Sequence, residues 1–232
     1  MSYLWQEFNI KTFPAETLVF RDGVFCPELS DYKNPEYSRE KNLILINKKS
    51  KLPVHIIYFG EIAGNIDLNI NINIDNLPVF MTFKTFNKKP AFLNIFVKNA
   101  GKNSVFNGNI IIKNHRELNI RLFGEHFNEN TGIFIHTKVA AYKDSINYME
   151  GIAKINKNMP ECDSDISFTV MADNNSKITI KPTQYINSIP KNAAHSASLY
   201  KPNDNQIYYL QTSGLSSKEI KELLEKAFLE ED

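Results

Sequence analysis

Apolar and polar residues alternate strictly along residues 65–75, which read Asn-Ile-Asp-Leu-Asn-Ile-Asn-Ile-Asn-Ile-Asp. Successive side chains of a β-strand point to opposite faces, so this pattern predicts a strand with one buried and one wet face. Further short apolar-rich runs, bounded by Gly, Asn, Asp or Pro, occupy residues 79–86, 92–97, 105–112, 118–123, 133–140, 148–155, 166–171 and 177–180. The chain therefore predicts a strand about every dozen residues.

Helical periodicity is missing between these runs, which removes the crossover helices that an ordinary α/β sheet needs. Two all-β architectures remain open: an antiparallel sandwich or barrel, and a parallel β-helix whose turns stack on one another. The many Asn residues near the turns favour the stacked solenoid slightly, because their side chains can form ladders. Asn is also an ordinary turn residue, so periodicity alone does not choose between the two.

The pattern changes near the carboxyl end of the chain. Ser216 and Glu219 have the spacing of a capping box, which starts an α-helix. The apolar residues that follow lie on one helical face: Ile220, Leu223, Leu224, Ala227 and Phe228. We expect an amino-terminal segment over residues 1–17, a β-core over 18–212 and a carboxy-terminal helix over 213–232.

Composition narrows the class of partner. The chain has 27 basic and 26 acidic residues and a net charge of +1, which gives no reason to expect nucleic acid or an anionic membrane. Its apolar runs are too short to cross a bilayer. The two cysteines, Cys26 and Cys162, and a start without the features of a secretory signal favour a cytoplasmic protein.

The sequence has none of the common local catalytic motifs. The sequence contains no phosphate-binding Gly-x-x-x-x-Gly-Lys-Ser/Thr, no His-Glu-x-x-His, no Cys-x-x-Cys and no Gly-x-Ser-x-Gly. The five histidines are scattered, and none is four residues from another His or Cys. The sequence therefore predicts a non-enzymatic protein, and any use of ATP would come from another subunit.

Three carboxy-terminal segments carry a family resemblance. They are Ile-Thr-Ile-Lys-Pro-Thr-Gln-Tyr-Ile at 178–186, Ala-His-Ser-Ala at 194–197 and Ile-Tyr-Tyr-Leu-Gln-Thr-Ser-Gly-Leu at 207–215. In order and spacing they resemble the signature of the SufB/SufD family: Lys-Pro-x-Leu-Glu-Ile, His-Gly-Ala, then Phe-Tyr-Leu-x-Ser-Arg-Gly-Ile. Residues 148–155 resemble the family's Phe-x-Gly-x-Ile strand, and residues 18–30 resemble the first strand of SufD. The chain is identified as a SufD-like member, shortened at its amino terminus.

The resemblance implies a right-handed parallel β-helix with a short carboxy-terminal helical segment. It also implies a scaffold that pairs with a SufB-like subunit and docks a SufC-like ATPase through the terminal helix, in a complex that builds iron–sulfur clusters. Some positions depart from the family pattern: the Cys before the signature His is missing, and Ser196, Ser213 and Tyr185 replace the family's Gly, Arg and Glu. No stably bound cofactor is expected, only a transient cluster or iron at a subunit interface.

The candidate site residues follow from the same resemblance. His195 matches the signature His. It is the candidate for iron or cluster ligation, or for contact with the SufB-like subunit, and the alternative is that it is only a structural histidine. The ATPase-docking candidates are Ile220, Leu223, Leu224 and Phe228, with Glu222 and Glu225, whose charge reversal should weaken docking and spare folding. The apolar helix face could equally cap the solenoid.

Two other functions stay open at this point. One is a family member that has lost its partners and self-associates, giving a homodimer through its edge strands. The other is a β-helical enzyme acting on carbohydrate, which would need a pair of carboxylates on one face. The strands show no marked acidic cluster, so the scaffold is preferred.

Overall fold

The computed structural model describes residues 16–33, 35–142, 144–173 and 175–229. The strands are β1 Glu16–Arg21, β2 Val24–Phe25, β3 Glu36–Ser38, β4 Leu43–Ile46, β5 Val54–Glu61, β6 Gly64–Ile72, β7 Pro78–Asn87, β8 Ala91–Asn99, β9 Val105–Asn114, β10 Glu117–His126, β11 Gly132–Ala141, β12 Ile146–Ile155, β13 Asp163–Ala172, β14 Lys177–Ile186 and β15 Asn192–Tyr200. Two helices follow, α1 Asp204–Thr212 and α2 Ser217–Leu229. Every strand predicted between residues 79 and 180 lies within one of these strands.

The strands form two sheets. The first has the order β15-β13-β11-β9-β7-β5-β1-β2 and the second β14-β12-β10-β8-β6-β4-β3. From β5 onward each strand pairs in parallel with the strand two places away in the chain, so the backbone alternates between the sheets and each coil stacks on the last. The fold is a parallel β-solenoid of about six turns, which confirms the predicted fold class.

Asparagine ladders tie the coils together at one corner. Asn103 donates its side-chain amide to Asn76 at 2.8 Å, and Asn130 donates to Asn103 at 2.6 Å, each across 27 residues of chain. All three have positive φ, of 59°, 54° and 54°, a backbone conformation that Asn tolerates better than most residues. The step of 27 residues is therefore one coil, and the ladder expected from the Asn-rich turns is confirmed.

The core lies between the two sheets and consists mainly of Ile, Leu, Val and Phe. Aligned rows of side chains run along the solenoid because equivalent positions pair in register. One such row contains Phe20, Tyr58 and Phe83, whose rings stack with centroids 6.1 Å and 4.3 Å apart. On the outer face of the second sheet, Glu150 forms ion pairs with Arg121 and Lys181 on the neighbouring strands.

The carboxy-terminal boundary differs from the expected one. The last strand ends at Tyr200, and residues 204–212, which were assigned to the β-core, form α1. The physical reason is a second capping box: Asn203 accepts from the Gln206 amide at 2.8 Å, and the Gln206 side chain accepts from the Asn203 amide at 3.1 Å.

The box at Ser216 and Glu219 is confirmed. Residues 1–15 of the expected amino-terminal segment and residues 230–232 of the expected terminal helix lie outside the described residues. Neither of the two helices in the described ranges has the length and apolar character that crossing a bilayer requires.

Candidate functional site at the open end of the solenoid

The last coil of the solenoid presents two strand edges. Within the described ranges, β14 pairs only with β12 and β15 only with β13, so the other side of each strand has no strand partner. Both are long, with 10 residues in β14 and 9 in β15. A long edge with free backbone amides and carbonyls is a surface to which another strand can be added.

Inward-facing positions become exposed at this end. Val170 of β13 is fully buried, whereas Leu199, its register partner on β15, is 53% exposed. His195 pairs with the buried Ile166 in the same way, and it is exposed. His195 therefore occupies the interior row of the solenoid at the level where no further coil covers it.

Large apolar side chains cluster near the same end. Tyr185, Ile186 and Ile189 are exposed in and after β14, and Tyr208 and Tyr209 are exposed on α1. Neither β14 nor β15 has a fully buried residue, in contrast to the strands beneath them. Apolar surface gathered on two edge strands and an adjoining helix is typical of an interface with another chain.

His195 by itself supplies one imidazole. Among the residues that the structure describes, no three His, Cys, Asp or Glu side chains come together as a metal site. A metal ion normally takes about four protein ligands, so His195 alone does not form a metal site.

The two cysteines lie elsewhere. Cys162 is fully buried just before β13, where its thiol donates to the Asn128 carbonyl at 3.3 Å and lies 3.4 Å from the Thr131 hydroxyl. Thr131 also contacts Nδ1 of His126 at 2.7 Å. Burial lowers the pKa of His126 to about 4, so this histidine is neutral at pH 7. Cys26 is buried at the opposite end, beside β1.

The predicted ATPase-docking residues are divided between two sides of α2. Ile220 is buried, Phe228 packs on Tyr200, and Glu225 forms an ion pair with Lys113 of β9. These three face the solenoid or are shielded by it. Leu224 is half-buried.

The other two candidates, Glu222 and Leu223, are exposed. Glu222 forms an exposed ion pair with Lys218 one turn earlier, at 3.9 Å. The expectation that reversal of Glu225 spares folding does not fit its place in the structure, because Glu225 holds α2 on the sheet. For Glu222 the expectation stands.

Sequence reasoning missed Tyr208 and Tyr209 on α1, because the segment was assigned to the β-core. The signal was available in Asn203 and Gln206, which have capping-box spacing. It also missed β15, since the run Asn-Ala-Ala-His-Ser-Ala-Ser at 192–198 has no β-branched or aromatic residue.

The carboxylates of the second sheet do not favour glycoside hydrolysis. Glu150 is bound by Arg121 and Lys181, and Glu125 accepts from Lys154 at 2.7 Å. Both carboxylates are engaged by basic side chains, so the sheet does not display them as a free pair for general acid and base work. These ion-paired carboxylates give no support to a carbohydrate-active enzyme.

A protein-family model matches the carboxy-terminal part of the chain. Residues 84–228, more than half of the 232 residues, match the model of the SufBD core domain of the SUF system for FeS cluster assembly. The match runs from the second half of β7 to Phe228 in α2, and so includes the open end, His195 and nearly all of both helices. No curated protein matches the chain.

Proposed function

Because the chain belongs to the SufB/SufD family and carries its SufBD core domain, we propose that it acts as a non-catalytic SufD-like scaffold in iron–sulfur cluster assembly. In this proposal it pairs with a SufB-like subunit through the open end of the solenoid and docks a SufC-like ATPase through its helices. The observation that carries the proposal is the exposed interior row on β15, where Leu199 and His195 continue rows that are buried one coil earlier.

Pairing at the open end would complete the solenoid. A partner strand added to β14 or β15 would satisfy backbone groups that have no strand partner in the described chain, and its side chains would cover Leu199 and Ile186. Burial of such side chains contributes about 25 cal/mol per Å² of apolar area. In an isolated subunit the same exposed long edges would favour unwanted pairing with other strands.

His195 would lie inside that interface. A neutral imidazole can ligate iron through one ring nitrogen, and the cluster, as the cargo of the complex, would take its remaining ligands from the SufB-like subunit. The cluster or iron would be transient, because the described part of the chain offers a single ligand here. His195 is then a ligand in the assembled complex and an exposed side chain in the isolated subunit.

The ATPase would bind the outward faces of the helices. Leu223 and Glu222 on α2 and the adjoining Tyr208 and Tyr209 on α1 are exposed, whereas Ile220 and Phe228 hold α2 in place. The predicted helix would therefore still dock the ATPase, but through the side of α2 that faces away from the sheet. The isolated chain should show no ATP turnover.

A cytoplasmic location belongs to the same proposal. Cys26 and Cys162 are both free and buried, which is the state that a reducing compartment maintains.

The test is co-purification from cells that also express a SufB-like and a SufC-like protein. Leu199→Arg should reduce recovery of the SufB-like subunit by about tenfold or more, because it places a charge in the centre of the interface. Val24→Arg is the matched control, since Val24 is 55% exposed and lies on β2 at the other end. Equal recovery with both variants would contradict the proposal.

Ligation is tested in the same preparations. His195→Ala should lower the iron and sulfide content of the complex while the SufB-like subunit is still recovered. If the metal content is unchanged, His195 is not a ligand, and the pairing part of the proposal stands on the first test.

Self-association is the second candidate, favoured by the same two edges. If the isolated chain forms a dimer in light scattering that Leu199→Arg converts to monomer, two copies pair through the open end. Such a dimer and the pair with a SufB-like subunit would compete for one surface.

A further inference from the structure

The seat of α2 is a single row of residues that crosses four coils. Lys113 of β9, Ala140 of β11, Met171 of β13 and Tyr200 of β15 are register partners in turn along the first sheet. They lie on the outer face, because the core residues Val139 and Val170 alternate with them. Ala140 and Met171 are nevertheless buried, and α2 is the element that packs over them.

Side-chain contacts of three different kinds hold α2 on this seat. They are an ion pair between Lys113 and Glu225, a cation–π contact with Lys221 Nζ 4.2 Å from the Tyr142 ring centroid, and a stack of Tyr200 on Phe228 with centroids 6.0 Å apart and planes 7° apart.

The ion pair is shielded from solvent. The Lys113 and Glu225 side chains are 36% and 15% exposed. The pKa of Tyr142 is raised well above its usual value, mainly because its ring is buried and in smaller part because the Glu225 carboxylate lies nearby. Removing one partner of a shielded pair leaves the other charge without its counter-charge, which costs more than breaking a fully exposed pair.

Tyr200 is the link to the open end. It is the last residue of β15, its ring stacks on α2, and its hydroxyl donates to the Gln206 side chain of α1 at 3.3 Å. Within the described ranges β13 is the only strand that pairs with β15, which carries His195 five residues before Tyr200. The helices therefore fix the end of the strand that bears His195.

We propose that α2 is a strap: while it is seated on the Lys113–Tyr200 row it holds β15 and His195 against the solenoid, and its release loosens that strand. The strap is a property of this chain alone, whereas its consequence for the subunit interface rests on the function proposed above. A protein that binds the Leu223 side of α2 leaves the strap seated. One that binds the Ile220 and Phe228 side must first unseat it and thereby free the terminal strand.

The experiment is hydrogen–deuterium exchange on the isolated full chain. Lys113→Glu and Glu225→Lys should each speed exchange of the β15 amides that bond to β13 by about tenfold, which corresponds to ~1.4 kcal/mol of local opening. The double variant Lys113→Glu/Glu225→Lys restores the charge pair and should return exchange toward that of the unmodified chain. Amides of β5 to β7, which carry no residue of the seat, should not change in any of the three.

The matched control is the exchanged pair Lys218→Glu/Glu222→Lys on the same helix, where the side chains are 85% and 66% exposed. It should leave β15 unchanged. Phe228→Ala removes the Tyr200 stack without a change of charge and should also speed β15 exchange. If α2 loosens while β15 keeps its protection, or if neither Glu225→Lys nor Phe228→Ala affects β15, the strap is wrong.

These outcomes do not depend on any partner. If the variants fail to change β15 exchange as expected but co-purification succeeds, only this inference is overturned. If β15 exchange changes as expected but co-purification fails, only the proposed function is overturned.

Discussion

The two ends of the solenoid are built differently. At the amino-terminal end the outermost strands in the described chain, β2 and β3, have 2 and 3 residues and pair antiparallel with β1 and β4. At the carboxy-terminal end the outermost strands have 10 and 9 residues and pair in parallel. Short edge strands limit unwanted pairing, and long ones permit it.

The interior is covered at the amino-terminal end and exposed at the carboxy-terminal end. Phe20, Phe25, Tyr37 and Tyr58 pack against one another at the amino-terminal end, with ring centroids about 5–6 Å apart, and Phe20 and Tyr58 are almost fully buried. At the other end the interior row continues to Leu199 with nothing described above it. One end is closed by the chain itself, and the other leaves its interior row exposed.

The largest expected effect is at the closed end. Phe20→Ala removes a ring that contacts Phe25, Tyr37 and Tyr58, and it should lower the free energy of unfolding by about 3–5 kcal/mol. Urea denaturation measures it. A loss below about 1 kcal/mol would show that the aromatic cluster does not close this end.

A pH effect of similar size is expected at His126, the last residue of β10, between the two ends of the solenoid. The pKa of buried His126 is about 4 in the folded chain and about 6.5 when exposed, so the unfolded chain takes up the proton first as the pH falls. The contribution of neutral His126 to the free energy of unfolding is complete above pH 6.5 and is lost as the pH falls from 6.5 to 4. At ~1.4 kcal/mol per pKa unit, the loss is about 3 kcal/mol. His126→Gln should lack this part of the pH dependence. Parallel pH curves for the two proteins would contradict it.

A smaller effect is expected in the asparagine ladder. Asn103→Ala loses hydrogen bonds to Asn76 and Asn130 and places Ala at φ 54°, which should cost about 1–2 kcal/mol. Asn103→Gly loses the same bonds without the backbone strain and should cost less than the Ala variant. Thermal unfolding separates the two, and equal losses would mean that backbone conformation is not what selects Asn here.

The smallest effect on stability is at the open end. Leu199→Ala in the isolated chain should change the free energy of unfolding by less than about 0.5 kcal/mol, because most of the side chain is already in water. Val170→Ala, its buried register partner, should cost more than 1 kcal/mol. If the two substitutions cost the same, Leu199 is covered by the chain itself and the two ends do not differ as described.

Much of the fold could be predicted from the chain, because strict alternation marks strands wherever one face is buried. Strict alternation predicts β6, and short apolar-rich runs bounded by turn residues predict β7 to β14. The parallel arrangement has a signal in Asn76, Asn103 and Asn130, spaced by one coil. Alternation fails in β15, where neither face is well buried and the sequence is rich in Ala and Ser.

The site was only partly predictable. His195 was found by resemblance to the family signature, and its place in the interior row needed the register with Ile166. The amphipathic face of α2 predicts that something covers Ile220 and Phe228, but a helix pattern does not tell whether that cover is another protein or the chain's own sheet. Here it is the sheet, through Tyr200 and Lys113.

The most direct test of the difference between the ends is hydrogen–deuterium exchange of the complex with a SufB-like subunit, compared with the chain alone. The account predicts strong new protection of β14 and β15 and no change in β1 to β4. Protection confined to the amino-terminal strands, with β14 and β15 exchanging as they do in the isolated chain, would contradict it.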